Sequence, residues 1–152
     1  MRETTLCYLE RDGAYLMLYR NKKPQDINAG KWIGLGGKLE AGETPEICVC
    51  REVLEETGLT LTAYTYRGIV DFDSDNDGTE RMYLFTATDW TGTLHACDEG
   101  DLQWIKIADL HRYPLWEGDA VFLKALQEDT NFFHITLTYR GGHLINTHQT
   151  GG

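Results

Sequence analysis

A chain of 152 residues with 41% hydrophobic and 25% charged residues fits a single folded domain spanning 1–152 and excludes a disordered body. Its 14 basic and 24 acidic residues leave a net charge of −10, a field that repels nucleic-acid polymers. No apolar run reaches bilayer length, Met1–Thr5 opens no secretory signal, and four cysteines without a CxxC pair read as reduced thiols; a cytoplasmic protein without membrane attachment is expected.

Along the chain, two β-rich runs, Thr4 to Leu9 and Ala14 to Tyr19, flank Glu10-Arg11-Asp12-Gly13 and predict a hairpin. A glycine-rich loop, Gly30 to Gly37, follows. The clearest helix is predicted over Pro45 to Thr57, with Thr44 as N-cap, Pro45 in the first helical position and Gly58 as the stop. Strands are expected over Leu59 to Phe72 and Arg81 to Thr88, joined by a turn at Asn76-Asp77-Gly78, and again over Leu102 to Ile107. After a short turn at Ala108 to His111, a second helix is expected over Glu117 to Glu128, with Ala120, Val121, Leu123, Ala125 and Leu126 as its apolar contacts. Phe132 to Tyr139 and His143 to Thr147 close the chain as a hairpin. Mixed strands with two separated helices imply an α/β fold, a sheet covered on both sides.

Charge is unevenly spread. Arg20, Lys22, Lys23, Lys31 and Lys38 crowd one segment, while Glu40, Glu43, Glu46, Glu52, Glu55 and Glu56 crowd the next. A basic segment running into an acidic one suits a phosphorylated small molecule bridged by metal, but charge asymmetry alone favours two solvated faces. On the first helix, with Glu52 at zero, Glu55 falls at about 300° and Glu56 at about 40°, so three carboxylates share one stripe. Ile47, Cys50 and Leu54 fall on the opposite side, and the expectation is that this apolar side packs on the sheet while the acids face a cleft. Carboxylates this close repel one another unless a cation intervenes, and hard ions such as Mg²⁺ or Mn²⁺ prefer oxygen ligands.

The wider spacing is more specific. Gly37 is followed after five residues by Glu43, then after seven by Arg51-Glu52, Val53, Glu55-Glu56, Gly58 and Leu59. This pattern is similar to the signature of the Nudix hydrolases. The resemblance implies a Nudix-type α/β/α sandwich with a mixed β-sheet, a catalytic loop–helix–loop, and hydrolysis of a nucleoside diphosphate linked to another group. It also implies Mg²⁺ as cofactor, with Mn²⁺ as the substitute, held by Glu52, Glu55, Glu56 and the carbonyl of Gly36. Glu55 or Glu56 would take the proton of the attacking water, and Arg51 would hold Glu43 or a ligand carboxylate in place. Lys23 and Lys38, with Gly36 and Gly37, are candidates for phosphate contact, although either lysine could serve only solubility.

Gly30-Lys31-Trp32, Gly36-Gly37-Lys38 and Trp116-Glu117-Gly118-Asp119 further resemble the MutT-type 8-oxo-dGTP diphosphatases. In that likeness Trp116 stacks on the base, Asp119 reads the purine edge and Glu99 adds a metal or water ligand. The pattern departs from that of animal members at Ile33 and Gly118, which stand where those have asparagine and aspartate. Ile33 cannot hydrogen-bond a base with its side chain. The implied activity is conversion of an oxidised purine nucleoside triphosphate to the monophosphate and pyrophosphate by a monomer or weak homodimer. The alternatives are the same chemistry on ADP-ribose, a sugar nucleotide or a pterin triphosphate, and a non-catalytic nucleotide sensor.

Other signals carry less. Asp73 to Gly78 imitates the opening of a calcium loop, but Leu84 stands where the bidentate glutamate belongs. The five histidines lack zinc spacing, and Cys50, expected to face the core, makes a poor nucleophile.

Overall fold

The computed structural model describes residues 1–22, 26, 28–128 and 131–151. Its elements run β1 (Arg2–Arg11), β2 (Ala14–Tyr19), β3 (Trp32–Ile33), α1 (Pro45–Thr57), β4 (Leu59–Ser74), β5 (Gly78–Gly92), β6 (Asp101–Lys106), a 3₁₀ turn (Ile107–Arg112), α2 (Asp119–Glu128), β7 (Phe133–Arg140) and β8 (His143–Gly151). The eight strands form one mixed sheet in the order β3-β2-β1-β5-β4-β7-β8, with β6 alongside β2. Among the described residues no helix is long and apolar enough to cross a membrane.

The sheet is apolar on both faces, and the alternation of side chains sorts them. From β1, Leu6 and Tyr8 join one core while Cys7 and Leu9 join the other; from β2, Tyr15 and Met17 separate from Leu16 and Leu18 in the same way. Phe122, Leu123, Ala125 and Leu126 of α2 pack into the first core, and Val49 and Val53 of α1 into the second. The expected mixed sheet with helices on both sides is therefore present.

Strand bounds shift by a few residues, β3 lies within the predicted glycine-rich loop, and three further details change. The first hairpin is real only at its tip, where Glu10 pairs with Tyr15 and Arg11 with Ala14. Beyond it the legs part: β1 runs parallel to β5 from Arg2↔Glu80 to Leu9↔Ala87, and β2 pairs with β6. The second helix begins at Asp119, two residues later than predicted. Its Ala120 is exposed, and Phe122 takes the buried place instead.

The orientation of α1 is the third. Its boundaries are those expected: the Thr44 hydroxyl accepts from Ile47 N, and Gly58 N donates to the Leu54 carbonyl at 2.8 Å. The face predicted to pack, however, is turned outward, with Ile47 56% and Leu54 47% exposed and Cys50 only half-buried. The buried stripe is Cys48, Val49, Val53, Glu56 and Thr57. Val49 and Val53 sit at about 60° and 100° on the same wheel, flanking Glu56 at about 40°. The helix thus packs on the side that carries its acids.

Candidate functional site

Two glycines let the acids into the fold. Gly36 lies so close to β1 that a Cβ there would stand 2.0 Å from the Thr5 carbonyl oxygen, and a Cβ on Gly37 would stand 2.5 Å from the Glu52 carboxyl carbon. Without side chains at these positions the loop before α1 lies flat over Glu52 and Glu56. Gly36 N donates to Glu56 Oε1 at 2.8 Å, so its amide is committed to a carboxylate. Glu56 is only 4% exposed, and its other oxygen, Oε2, is buried without a hydrogen-bond partner. Burial drives its pKa well up, and the nearby Glu99 and Glu52 add to the rise. Glu52 is raised chiefly by burial as well.

Arg51 gathers the outer acids. It forks onto Glu43 through Nε–Oε2 at 2.6 Å and Nη2–Oε1 at 2.8 Å, reaches Glu52 at 2.8 Å and Glu55 at 3.2 Å, and donates to the Lys38 carbonyl. The Arg51 hydrogen bonds hold the Glu43 carboxyl down at about 2. Glu55 is the exposed member of the trio.

Glu99 arrives from the turn before β6. Its carboxylate meets Arg20 Nη1 at 3.2 Å, and Arg20 also pairs with Asp26. A carboxylate oxygen of Glu56, one of Glu99 and the thiol of Cys97 lie within 4.8 Å of one another. A buried carboxylate oxygen without a partner, beside further acids, is the donor set of a divalent cation, so these residues fit a metal.

Glu52 and Glu99 open into a cleft of about 470 Å³ that runs past Gly36, Gly37 and the exposed Lys38 to Trp116 and Asp119. There the walls are Leu6, Phe72, Met82 and Phe122. The Trp116 indole donates from Nε1 to Asn28 Oδ1 at 2.8 Å, meets the Tyr139 ring edge-on at 6.0 Å, and lies beneath Lys31 Nζ at 5.0 Å from its centre. Asp119 is 6% exposed, and burial lifts its carboxyl to about 7 against the opposing pull of the Trp116 amide and Lys31.

The described structure therefore brings Gly36, Gly37, Lys38, Glu52, Glu99, Trp116 and Asp119 to one cleft, with Glu56 behind it and Arg51 and Glu43 bracing it. Lys23 lies outside the described residues. Sequence reasoning missed Asn28, Arg20, Lys31 and Cys97 as parts of the site. The two cations stood in the basic segment, but no spacing marked the other two.

The NUDIX domain family model matches residues 1–126. The chain belongs to this family. Nudix hydrolases act on phosphorus-containing anhydrides of small nucleotides and generally use a divalent metal. Among Nudix relatives, the chain is 30% identical to an oxidized purine nucleoside triphosphate hydrolase of Danio rerio over 147 residues, covering 95% of this chain and 91% of that one. It is equally 30% identical to a CTP pyrophosphohydrolase of Escherichia coli over 126 residues, covering 82% and 90%. The crystal structure of a MutT protein from Bacillus halodurans superimposes with a TM-score of 0.85 at 27% identity, over 98% of this chain and 97% of that one. The eight-stranded mixed sheet with few helices is thus that of MutT-type Nudix proteins.

Proposed function

We propose that this Nudix hydrolase is a Mg²⁺-dependent pyrophosphohydrolase that converts an oxidised purine nucleoside triphosphate to its monophosphate and pyrophosphate. The observation that carries this reading is the continuity of the cleft, with clustered acids at one end and an aromatic ring beside a buried carboxyl at the other.

Glu52, Glu56 and Glu99, with the exposed Glu55 and the Gly36 carbonyl, would hold the divalent ions. The chemistry such ions supply is neutralisation of phosphate charge and a lowered pKa for a water nucleophile. Arg51 keeps Glu52 and Glu55 aimed by its charge-assisted bonds, and its fork onto Glu43 keeps Arg51 itself in place. Lys38, at the rim, meets the phosphates. The proton of the attacking water passes to Glu55 or Glu56. At the far end Trp116 stacks on the base, its orientation held by Asn28 and Tyr139. Asp119 reads the base edge. With its pKa near 7 it is partly protonated at neutral pH and can donate or accept a hydrogen bond. That flexibility suits an oxidised purine, whose edge exchanges an acceptor for a donor.

A panel of nucleotides with Mg²⁺, scored by kcat/KM, tests the reading. An oxidised purine triphosphate should exceed CTP, ADP-ribose and unmodified triphosphates by at least about tenfold, roughly 1.4 kcal/mol in transition-state binding. A flat panel, or one led by CTP, overturns the purine assignment.

A further inference from the structure

We propose that Cys97 adds a sulfur donor to the carboxylate site, so that this site also takes thiophilic divalent ions, Zn²⁺, Cd²⁺ or Co²⁺, on Cys97, Glu56 and Glu99. The inference rests on the reading that Glu56 and Glu99 hold a divalent ion, and extends it to the kind of ion. Cys97 is 4% exposed, in the turn where it bridges to Gly100. Its sulfur accepts from Glu99 N at 3.5 Å, and its carbonyl accepts from Lys22 Nζ at 2.8 Å, so both the side chain and the backbone of this residue are fixed. Among the described residues, Glu56, Cys97 and Glu99 are the one trio of such side chains whose donor atoms lie within 4.8 Å of one another.

A second observation points to a cation there independently of the thiol. Glu56 spends Oε1 on the Gly36 amide and leaves Oε2 buried without a partner. Zinc binds sulfur at about 2.3 Å and carboxylate oxygen at about 2.1 Å, a geometry the trio reaches by a modest convergence of side chains. Magnesium gains nothing from sulfur, because it demands oxygen ligands, whereas thiolate selects zinc and its softer neighbours. The thiol proton passes to solvent as such an ion binds. Of the four cysteines only Cys97 joins such a trio: Cys7 is buried, Cys48 is buried with its sulfur at the Thr5 hydroxyl (3.4 Å) and the Gly37 carbonyl (3.6 Å), and Cys50 is half-buried on α1. An ion held by Cys97 would occupy Glu56 and Glu99 and so compete with Mg²⁺ for the same carboxylates.

Titration of the full chain with Co²⁺, followed by absorption, tests this without reference to turnover. The wild-type protein should develop thiolate-to-cobalt charge-transfer absorption. Cys97→Ser and Cys97→Ala should lack it, and Cys50→Ser should retain it. By calorimetry, Cys97→Ser should weaken Zn²⁺ binding at least about tenfold while Mg²⁺ affinity changes far less. Absence of the band in wild type, its survival in both Cys97 variants, or an equal loss of Zn²⁺ and Mg²⁺ affinity overturns the proposal. Wild-type protein that binds Mg²⁺ without a cobalt–thiolate band refutes the sulfur donor alone; protein that binds no divalent ion refutes the carboxylate site as well.

Discussion

The two ends of the cleft bury acid in opposite ways. At the α1 end several carboxylates are pressed together, Arg51 compensates only the outer ones, and the innermost, Glu56, keeps one oxygen without a partner. At the Trp116 end a single carboxyl, Asp119, is buried almost as deeply, but it accepts from the Trp116 amide at 3.3 Å and feels Lys31 nearby. The first arrangement leaves a buried acceptor unmatched, which suits the proposed cation. The second has its own hydrogen-bond donor. One fold thus holds one buried acid with an oxygen left over and another already partnered by its own chain.

Glu56→Gln should break that contrast most severely. Removing the charge that a metal would meet should lower pyrophosphate release at least about a thousandfold, roughly 4 kcal/mol of transition-state stabilisation. Folding should move the other way. The folded-state pKa of Glu56 lies above its ordinary 4.5, so its contribution to stability is full below that value and is lost as pH rises through the raised one. Metal-free wild type should therefore become less stable on raising the pH above 4.5. Thermal melting should show a shallower decline in Glu56→Gln, and Mg²⁺ should restore the wild type alone.

Trp116→Ala is expected to do less, and only to binding. Loss of base stacking should raise KM for the oxidised purine triphosphate by about tenfold while kcat changes little. An equal fall in turnover of every diphosphate substrate would show instead that the indole supports the fold.

Asp119→Asn sharpens the comparison at the smallest cost. In wild type, KM should rise about fivefold as pH passes about 7 and the donor proton leaves, whereas the variant should give a flat profile. Its stability should differ as well. The wild-type carboxyl is raised from 3.8 to about 7, so stability falls across that window, and the amide removes the fall.

Legibility from the sequence divides along the same line. The α1 end follows local rules: a threonine cap, a proline in the first turn, a closing glycine and acids at helical spacing. Its boundaries matched for that reason. What local periodicity could not reveal was which side of the helix is inside, because Gly36 and Gly37 admit Glu52 and Glu56 to the packed face and leave Ile47 and Leu54 in water. The wheel weighed apolar residues against acids and missed that Val49 and Val53 adjoin Glu56. At the other end, Trp116 and Asp119 were found through likeness of motif. Asn28 is 88 residues from the indole it holds, and Cys97 reaches Glu56 across 41 residues of chain, separations that no pattern in a single sequence encodes.

The parted legs of the first hairpin bear on how the chain reaches its native state. Residues of β1 find their parallel partners in β5 almost eighty positions later, so during synthesis the opening strand emerges long before its mate. Loop closure over that span costs only slightly more than over a short one, but pairings so distant in sequence slow folding. Until β5 is made, β1 can pair only with the tip of β2 and with Leu35 and Lys38 of the glycine-rich loop, and its parallel edge stays open.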